Sequence, residues 1–292
     1  MKINANKTEV LSYQFNQANR PEEAVPSFTL GSVDLKTVDS FKYLGSILSS
    51  SCDIENEIQS RIRLASSSFG KLKDRVFLNR NLTPLTKIKV YTAVCLSILL
   101  YGSETWTLYR AQIRRLEAFH IRCLQSILGL SWRDRIPHVT ILQSANTTSI
   151  ECMIVSRQLR WVGHVFRMPE DRLPRQILYG ELQEGSRAVG GQKKRYKDQL
   201  KATLKLCDIS PAELETLAAD RPTWRTAVHR AAESFESART ASRQEKRTRR
   251  HERRAQGPPA PGDGIPCPTC GKRCASEFGL RSHQRSHLRG QQ

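Results

Sequence analysis

The chain has 292 residues and carries 47 Lys and Arg against 28 Asp and Glu, a net charge of +19. That length closes about two folded units with real cores, and the charge points to a polyanionic partner, RNA or DNA before an acidic membrane surface. Met1–Asn6 has no apolar stretch of the signal-peptide kind, and the longest apolar run, Ala93 to Tyr101, is too short to span a bilayer.

The first 50 residues read as short strands. Phe28-Thr29-Leu30, Gly31-Ser32 and Val33-Asp34-Leu35 have the form of a two-residue hairpin, and Phe41 to Gly45 forms another strand. From Asp53, a helix N-cap, the period changes: Ile54, Ile58, Ile62, Ala65, Phe69, Leu72 and Val76 share one helical face. A second helix opens at Thr83-Pro84 and stops near Gly102, apolar nearly all round from Val90 to Leu100 and therefore the central core helix. Ile113, Leu116, Phe119, Cys123, Leu124 and Ile127 mark a third, ended by Gly129, and a fourth runs from Ser149 to Arg167. A basic loop follows over residues 185–195. Ser210 to Glu213 forms a capping box, Pro222 to Arg254 a long last helix, and Gly257 to Gly264 a Pro/Gly linker. The fold class expected is mainly α with a small N-terminal β element: a helical bundle, a basic helix, a flexible linker and a ββα zinc finger.

Cys267, Cys270, His283 and His287 have the spacing Cys-x2-Cys-x12-His-x3-His. Two thiolates at a hairpin turn and two imidazoles four apart on a helix are the donor set of a closed tetrahedral Zn²⁺ site. Cys274 stands where such a finger usually has a core aromatic, with Phe278 as a partial substitute, and Cys274 is also an alternative ligand. The helix positions that would face bases are Ser276, Gly279 and Ser282, none able to make bidentate contacts. Cys52, Cys95, Cys123, Cys152 and Cys207 lie singly, which suits free thiols in a reducing compartment.

Residues 239–254 hold eight Lys/Arg and two Glu, a local net of +6. Arg239, Arg243, Lys246, Arg247, Arg250 and Arg254 recur at helical steps as a positive stripe suited to phosphates. Lys193, Lys194 and Arg195 of the basic loop, and Lys272, Arg273, Arg281 and Arg285 of the finger, are further candidates for nucleic-acid contact. Lys246 to Arg250 also fits a nuclear-localisation signal, so a nuclear rather than secreted protein is expected. Trp106, Trp132, Trp161 and Trp224, near Arg133, Arg135, Arg160 and Arg167, admit base stacking, with helix packing preferred. His120 and His164 read as structural histidines.

Phe41-Lys42-Tyr43-Leu44-Gly45, Leu99 to Trp106, Leu159 to Val165 and Tyr179-Gly180-Glu181-Leu182 occur in an order that resembles the post-polymerase region of non-LTR (LINE-type) retrotransposon reverse transcriptases. Those proteins often end in a Cys/His finger. The resemblance covers nearly the whole chain. It implies that Phe41 to Gly45 corresponds to a primer-grip strand and that Lys7-Thr8-Glu9 corresponds to the end of the preceding palm segment. The family's phosphoryl transfer needs a carboxylate cluster for two metal ions. This chain has no Asp-Asp pair, and Asp34, Asp39 and Asp53 read as turn and cap residues. No polymerase activity and no catalytic residue are therefore expected.

The implied organisation is a remnant of palm and primer-grip strands at 1–50, a thumb-like bundle at 51–130, and a helical domain at 131–237. The basic helix at 238–254, the linker at 255–266 and the finger at 267–292 complete it. The leading expectation is a zinc-containing, nucleic-acid-binding C-terminal fragment of a retrotransposon polyprotein. A C2H2 regulator reading a defined DNA site, or a truncated gene model of an RNA-directed DNA polymerase, are the alternatives.

Overall fold

The computed structural model describes residues 3–4, 8–12, 27–180, 194–210, 213–255, 264–274 and 276–289. It divides into two compact units, Met1–Glu236 and Ser237–Gln292. The first is mainly helical, as its sequence periodicity implies.

Its strands pair only in twos. β1 (Glu9–Val10) lies parallel to β4 (Lys36–Thr37), and β2 (Thr29–Leu30) pairs antiparallel with β3 (Val33–Asp34) around Gly31, at φ +64°. β5 (Ser40–Tyr43) pairs with β6 (Ser46–Ser49), registering Phe41 with Leu48. The strand expected through Gly45 ends at Tyr43. Leu44 and Gly45, at φ +47° and +88°, form a two-residue turn with the positive dihedrals that match strand twist.

Helix α1 (Glu55–Leu72) starts beside Asp53, whose Oδ1 accepts the Glu55 N–H at 3.0 Å. It continues into a wider turn over Lys73–Phe77, where the Leu78 N–H reaches back five residues to the Lys73 carbonyl. Thr83 caps α2 (Pro84–Val90), its hydroxyl accepting the Thr86 N–H at 3.3 Å. A second wide segment, Tyr91–Leu96, leads into the single turn α3 (Ser97–Leu99). This rod is not buried all round, contrary to its apolar composition. Tyr91, Cys95, Leu96, Leu99 and Leu100 face the core, while Thr92, Ala93, Val94 and Ser97 face out. The widened turns fit a change of face: shifting the bonding from four to five residues re-aims the side chains that follow.

α4 (Arg110–Leu128) ends at Gly129, which takes φ +69° at the point where a left-handed residue closes the helix. α5 (His138–Ser144) was not foreseen. α6 (Ile150–Phe166) opens on Ser149, whose hydroxyl accepts the Cys152 N–H at 3.2 Å. Then come α7 (Leu173–Tyr179), α8 (Tyr196–Leu206), α9 (Leu214–Ala219) and α10 (Arg221–Ala255). The expected capping box at Ser210 falls partly outside the described residues. The Asp220 carboxylate opens α10, accepting the Thr223 N–H at 2.9 Å.

Two buried clusters fill the first unit, and α6 serves both. Ile150 and Ile154 join Ile58, Phe77, Tyr91, Leu116 and Leu124 in one. Val155, Leu159 and Val162 join Leu200, Leu204, Trp224 and Phe235 in the other. Ile141, Leu142 and Ala145 also belong to the first cluster, so the division between cores falls within α6 rather than near residue 130.

A buried ion pair fixes the β5–β6 hairpin to α1. Arg61 Nε donates to Glu57 Oε1 at 2.6 Å, Glu57 Oε2 accepts the Ile47 N–H at 2.7 Å, and Arg61 donates to the Gly45 carbonyl. The Arg61 guanidinium lies 4.5 Å from the Tyr101 ring centroid, and the Tyr101 hydroxyl donates to the Leu44 carbonyl at 3.0 Å. Neither side chain leaves a buried nitrogen or oxygen atom without a partner, the condition for burying both charges. Tyr101 thus joins two sequence motifs that lie 57 residues apart.

Candidate metal centre and basic surface

In the second unit, β7 (Ile265–Pro266) pairs antiparallel with β8 (Arg273–Cys274), and α11 (Glu277–Arg289) follows. Gly271, at φ +71°, lets the turn close: its N–H donates to the Cys267 carbonyl at 2.8 Å, and the Cys267 N–H to the Lys272 carbonyl at 2.9 Å. This puts both thiols at the hairpin knuckle. His283 and His287, one helical turn apart, meet them from α11.

The four predicted ligands converge. Their donor atoms all lie within 4.8 Å of one another. Cys267 Sγ is 3.6 Å from His287 Nε2, Cys270 Sγ 3.1 Å from His283 Nε2, and the two Nε2 atoms are 3.1 Å apart. A regular zinc tetrahedron with Zn–S near 2.3 Å and Zn–N near 2.05 Å has edges of about 3.6 Å between S and N and about 3.3 Å between N and N. The residues present therefore fit a tetrahedral metal ion of zinc's size. The electrostatics favour the ligating forms. Burial opposes the Cys267 thiolate, but the backbone N–H groups of Thr269 and Cys270, with His287 and Cys270 side chains, outweigh it and bring the thiol down to about 7. Burial, then His287 and Lys272, lowers the pKa of His283 and keeps the imidazole neutral more readily.

Cys274 is not among the converging donors. Phe278 does not fill the space of the absent core aromatic. It is 83% exposed, because the second residue of α11 points away from the hairpin. Ser276 is spent on the backbone, its hydroxyl accepting the Gly279 N–H at 3.2 Å. Arg281 pairs with Glu277 at 2.7 Å, while Lys272, Arg273 and Arg285 are exposed.

On α10, Arg239 is half-buried, and Arg243, Lys246, Arg247, Arg250 and Arg254 are exposed. At 100° per residue the six stay within an arc of roughly 100°, and at 1.5 Å per residue they cover about 22 Å. In the first unit, the Lys194 ammonium donates to the Leu108 carbonyl at 3.2 Å and lies over Tyr109, and Arg195 makes a two-pronged contact with Asp198 at 3.0 Å. Lys193 and Lys7 lie outside the described residues.

Three of the tryptophans have packing contacts. Trp106 is buried, with its carbonyl accepting from Gln158 Nε2 at 2.7 Å. Trp224 is buried on Gly163, its Nε1 donating to the Leu159 carbonyl at 3.1 Å. Trp161 lines an apolar recess with Val165, Leu173, Ile177 and Tyr196, and its ring lies 5.6 Å from that of exposed His164. Trp132 departs from the pattern and is 79% exposed. His120 is fully buried, Nδ1 2.9 Å from the Tyr91 hydroxyl, with no hydrogen-bond partner for Nε2 among the described residues. Burial pushes the Cys95 and Cys207 thiols up to about 11 and Cys123 to about 12, so these cysteines are inert fillers of the core.

Fold and site together define a mainly helical protein with a Cys2His2 cluster able to hold a metal ion in a separate C-terminal unit. The chain is 25% identical over 237 residues to an uncharacterized transposon-derived protein of Caenorhabditis elegans, covering 79% of this chain and 83% of that one. No family model and no solved structure matches it.

Proposed function

We propose that this chain is a zinc-containing, nucleic-acid-binding protein derived from the C-terminal region of a retrotransposon reverse transcriptase. It acts by binding, without phosphoryl transfer of its own. The observation that carries the reading is a zinc-competent ββα unit in the same compact unit as the C-terminal part of α10, which carries six basic residues on one face. The likeness to a transposon-derived relative over most of both chains supports the origin. Zinc supplies structure here: a unit of this size has little apolar core, and closed four-ligand coordination holds it folded.

Binding follows phosphates more than sequence. Ser276, Gly279 and Ser282 present no bidentate donor or acceptor to a base pair, and one finger spans only about three base pairs. The stripe on α10 supplies the charge, and a nuclear site of action accords with the same basic run. Six phosphate contacts on a single strand give a salt slope near −4, so affinity falls about 300-fold between 50 and 200 mM salt. Filter binding at those two concentrations tests this, and absence of binding at 50 mM refutes it. A sharp motif from binding-site selection would favour a sequence-reading regulator instead, and primer extension by the purified chain would overturn the non-catalytic assignment.

A further inference from the structure

Trp132 opens a short 3-10 turn, Trp132–Asp134, immediately beyond α4. The turn is tied down at both ends. The Ser131 N–H donates to Asp134 Oδ2 at 2.7 Å, the Arg133 N–H to Ser131 Oγ at 3.3 Å, and the Asp134 N–H to the Ser131 carbonyl at 3.1 Å. Just before it, the Leu130 N–H bonds the Gln125 carbonyl of α4 at 2.9 Å, so little slack separates turn from helix. On this fixed support the indole is 79% exposed, against 5% for Trp106 and 3% for Trp224. The Arg133 guanidinium lies 5.7 Å from the ring centroid, within cation–π range, and Arg135 is exposed two residues on.

We propose that Trp132 is a stacking platform for an unpaired base of single-stranded nucleic acid, with Arg133 and Arg135 meeting the adjoining phosphates. The inference rests on the nucleic-acid reading above and names the strand type and a contact within the first unit. Charge and surroundings select this occupant. Ser131, Arg133, Asp134 and Arg135 are all exposed and polar, so the indole has no contiguous apolar rim of the kind that marks a protein docking patch. The Asp134 carboxylate is engaged by the Ser131 N–H, while the Arg133 guanidinium lies by the ring and Arg135 is exposed two residues on. A duplex is the poorer fit. Its bases are already stacked on both faces, and a π face on a three-residue turn offers nothing to a groove edge without prying a step open. An unpaired base has its face free, and stacking tolerates any base.

The test uses the full-length, zinc-loaded chain and its Trp132→Ala and Trp132→Phe variants. Labelled oligouridine, oligothymidine and a mixed-sequence duplex of the same length are titrated by fluorescence anisotropy. Trp132→Ala is expected to weaken single-strand binding by roughly 5- to 150-fold, as loss of one aromatic–base stack does, and duplex binding far less. Trp132→Phe, which keeps a ring, should restore most of the affinity. The intrinsic tryptophan quenching seen on adding a single strand to the wild-type chain should vanish in it. The two single strands show whether RNA or DNA loses more. Trp132→Ala binding single strands as tightly as wild type, or losing duplex and single-strand affinity equally, overturns this inference alone. A wild-type chain that binds no nucleic acid at 50 mM salt overturns the broader reading as well.

Discussion

Gly163→Ala drives a methyl group into Trp224. A Cβ built on Gly163 would lie 2.0 Å from Trp224 Nε1, 2.4 Å from Cδ1 and 2.6 Å from Cε2. All three atoms belong to one fused ring that cannot yield by a small rotamer adjustment. Ordinary contact needs about 3.5 Å, so α6 and α10 must part by roughly 1.5 Å at this point, or the indole must leave its site. Overpacking of this kind costs about 1–3 kcal/mol. Moving the indole also stretches the Trp224 Nε1 bond to the Leu159 carbonyl, worth about 1 kcal/mol. Against both stands helix propensity, which favours Ala over Gly by about 1 kcal/mol in a helix interior. The expected net loss is about 1–3 kcal/mol.

Gly70→Ala supplies the control. Gly70 is also inside a helix, α1, but no atom lies within 4 Å of its built Cβ. Only propensity acts there, and a gain of up to about 1 kcal/mol is expected. Urea unfolding of the full chain, compared at constant m-value, reads both. Adding Trp224→Ala to Gly163→Ala should reverse the sign of the glycine substitution, since the ring it strikes is gone. If Gly163→Ala is as stabilising as Gly70→Ala, the close packing of α6 on α10 is refuted.

The remaining predictions concern buried charge, pH and the metal. Arg61→Ala leaves the Glu57 carboxylate buried beside Ile47 and Gly45 without its cation. It should cost about 3–5 kcal/mol, and amide exchange in β5–β6 should rise, whereas the paired Glu57→Gln, Arg61→Met variant should stay closer to wild type. Burial holds His120 down at about 4 against an ordinary 6.5, a contact with the Thr148 backbone only partly opposing it. The unfolded chain therefore takes up this proton first as pH falls. Stability from this group is constant above about 6.5, declines between 6.5 and 4 by about 3 kcal/mol, and levels off below. His120→Gln, uncharged throughout, should remove that part of the slope in urea unfolding measured across pH. Mass spectrometry under native conditions should find one zinc per chain, retained in Cys274→Ala and Phe278→Ser and lost in Cys270→Ala. Loss of zinc in Cys274→Ala would restore the alternative ligand set.

Residues whose role is set by neighbours in sequence were legible. The Gly129 helix stop, the Thr83-Pro84 helix opening, the Gly31 hairpin and the Cys/His spacing depend on local geometry, and each appears where its chemistry places it. What escaped was set by distant contacts. Nothing within a few residues of Glu57 or Arg61 announces that β5–β6 will bury them, because an i,i+4 Glu–Arg pair usually stays on a solvated face. Composition alone made Val90 to Leu100 look buried all round. The wide turn at Tyr91–Leu96 and the exposure of Val94 depend on which helices come to lie alongside. Trp132 was masked by its residue type. Tryptophan is so often buried that only the absence of apolar residues at Ser131 and over Arg133–Arg135 hinted at exposure.

Residues of three of the motifs that gave the sequence its family likeness make packing contacts in the first unit, and Tyr101 joins two of those motifs to each other. Tyr101 bonds the Leu44 carbonyl, Arg157 bonds the Leu100 carbonyl at 2.8 Å, Gln158 bonds that of Trp106, and Gly163 receives Trp224. Such residues constrain a scaffold, and a chain can keep them all while losing whatever chemistry lay elsewhere. The groups suited to a polyanion have the opposite character. Arg243 to Arg254, Lys272, Arg285 and Trp132 are exposed and serve no core. Fold and binding are therefore separable by mutation. Replacing Arg243, Lys246, Arg247 and Arg250 with Gln should leave the unfolding free energy of the first unit, read by urea, within about 0.5 kcal/mol of wild type, as distant surface changes do. The same replacement should lower the salt slope of single-strand binding by about 3, four contacts at 0.7 each. A quadruple variant that keeps the wild-type slope would move the phosphate contacts off α10, and one that unfolds would show the stripe to be part of the scaffold after all.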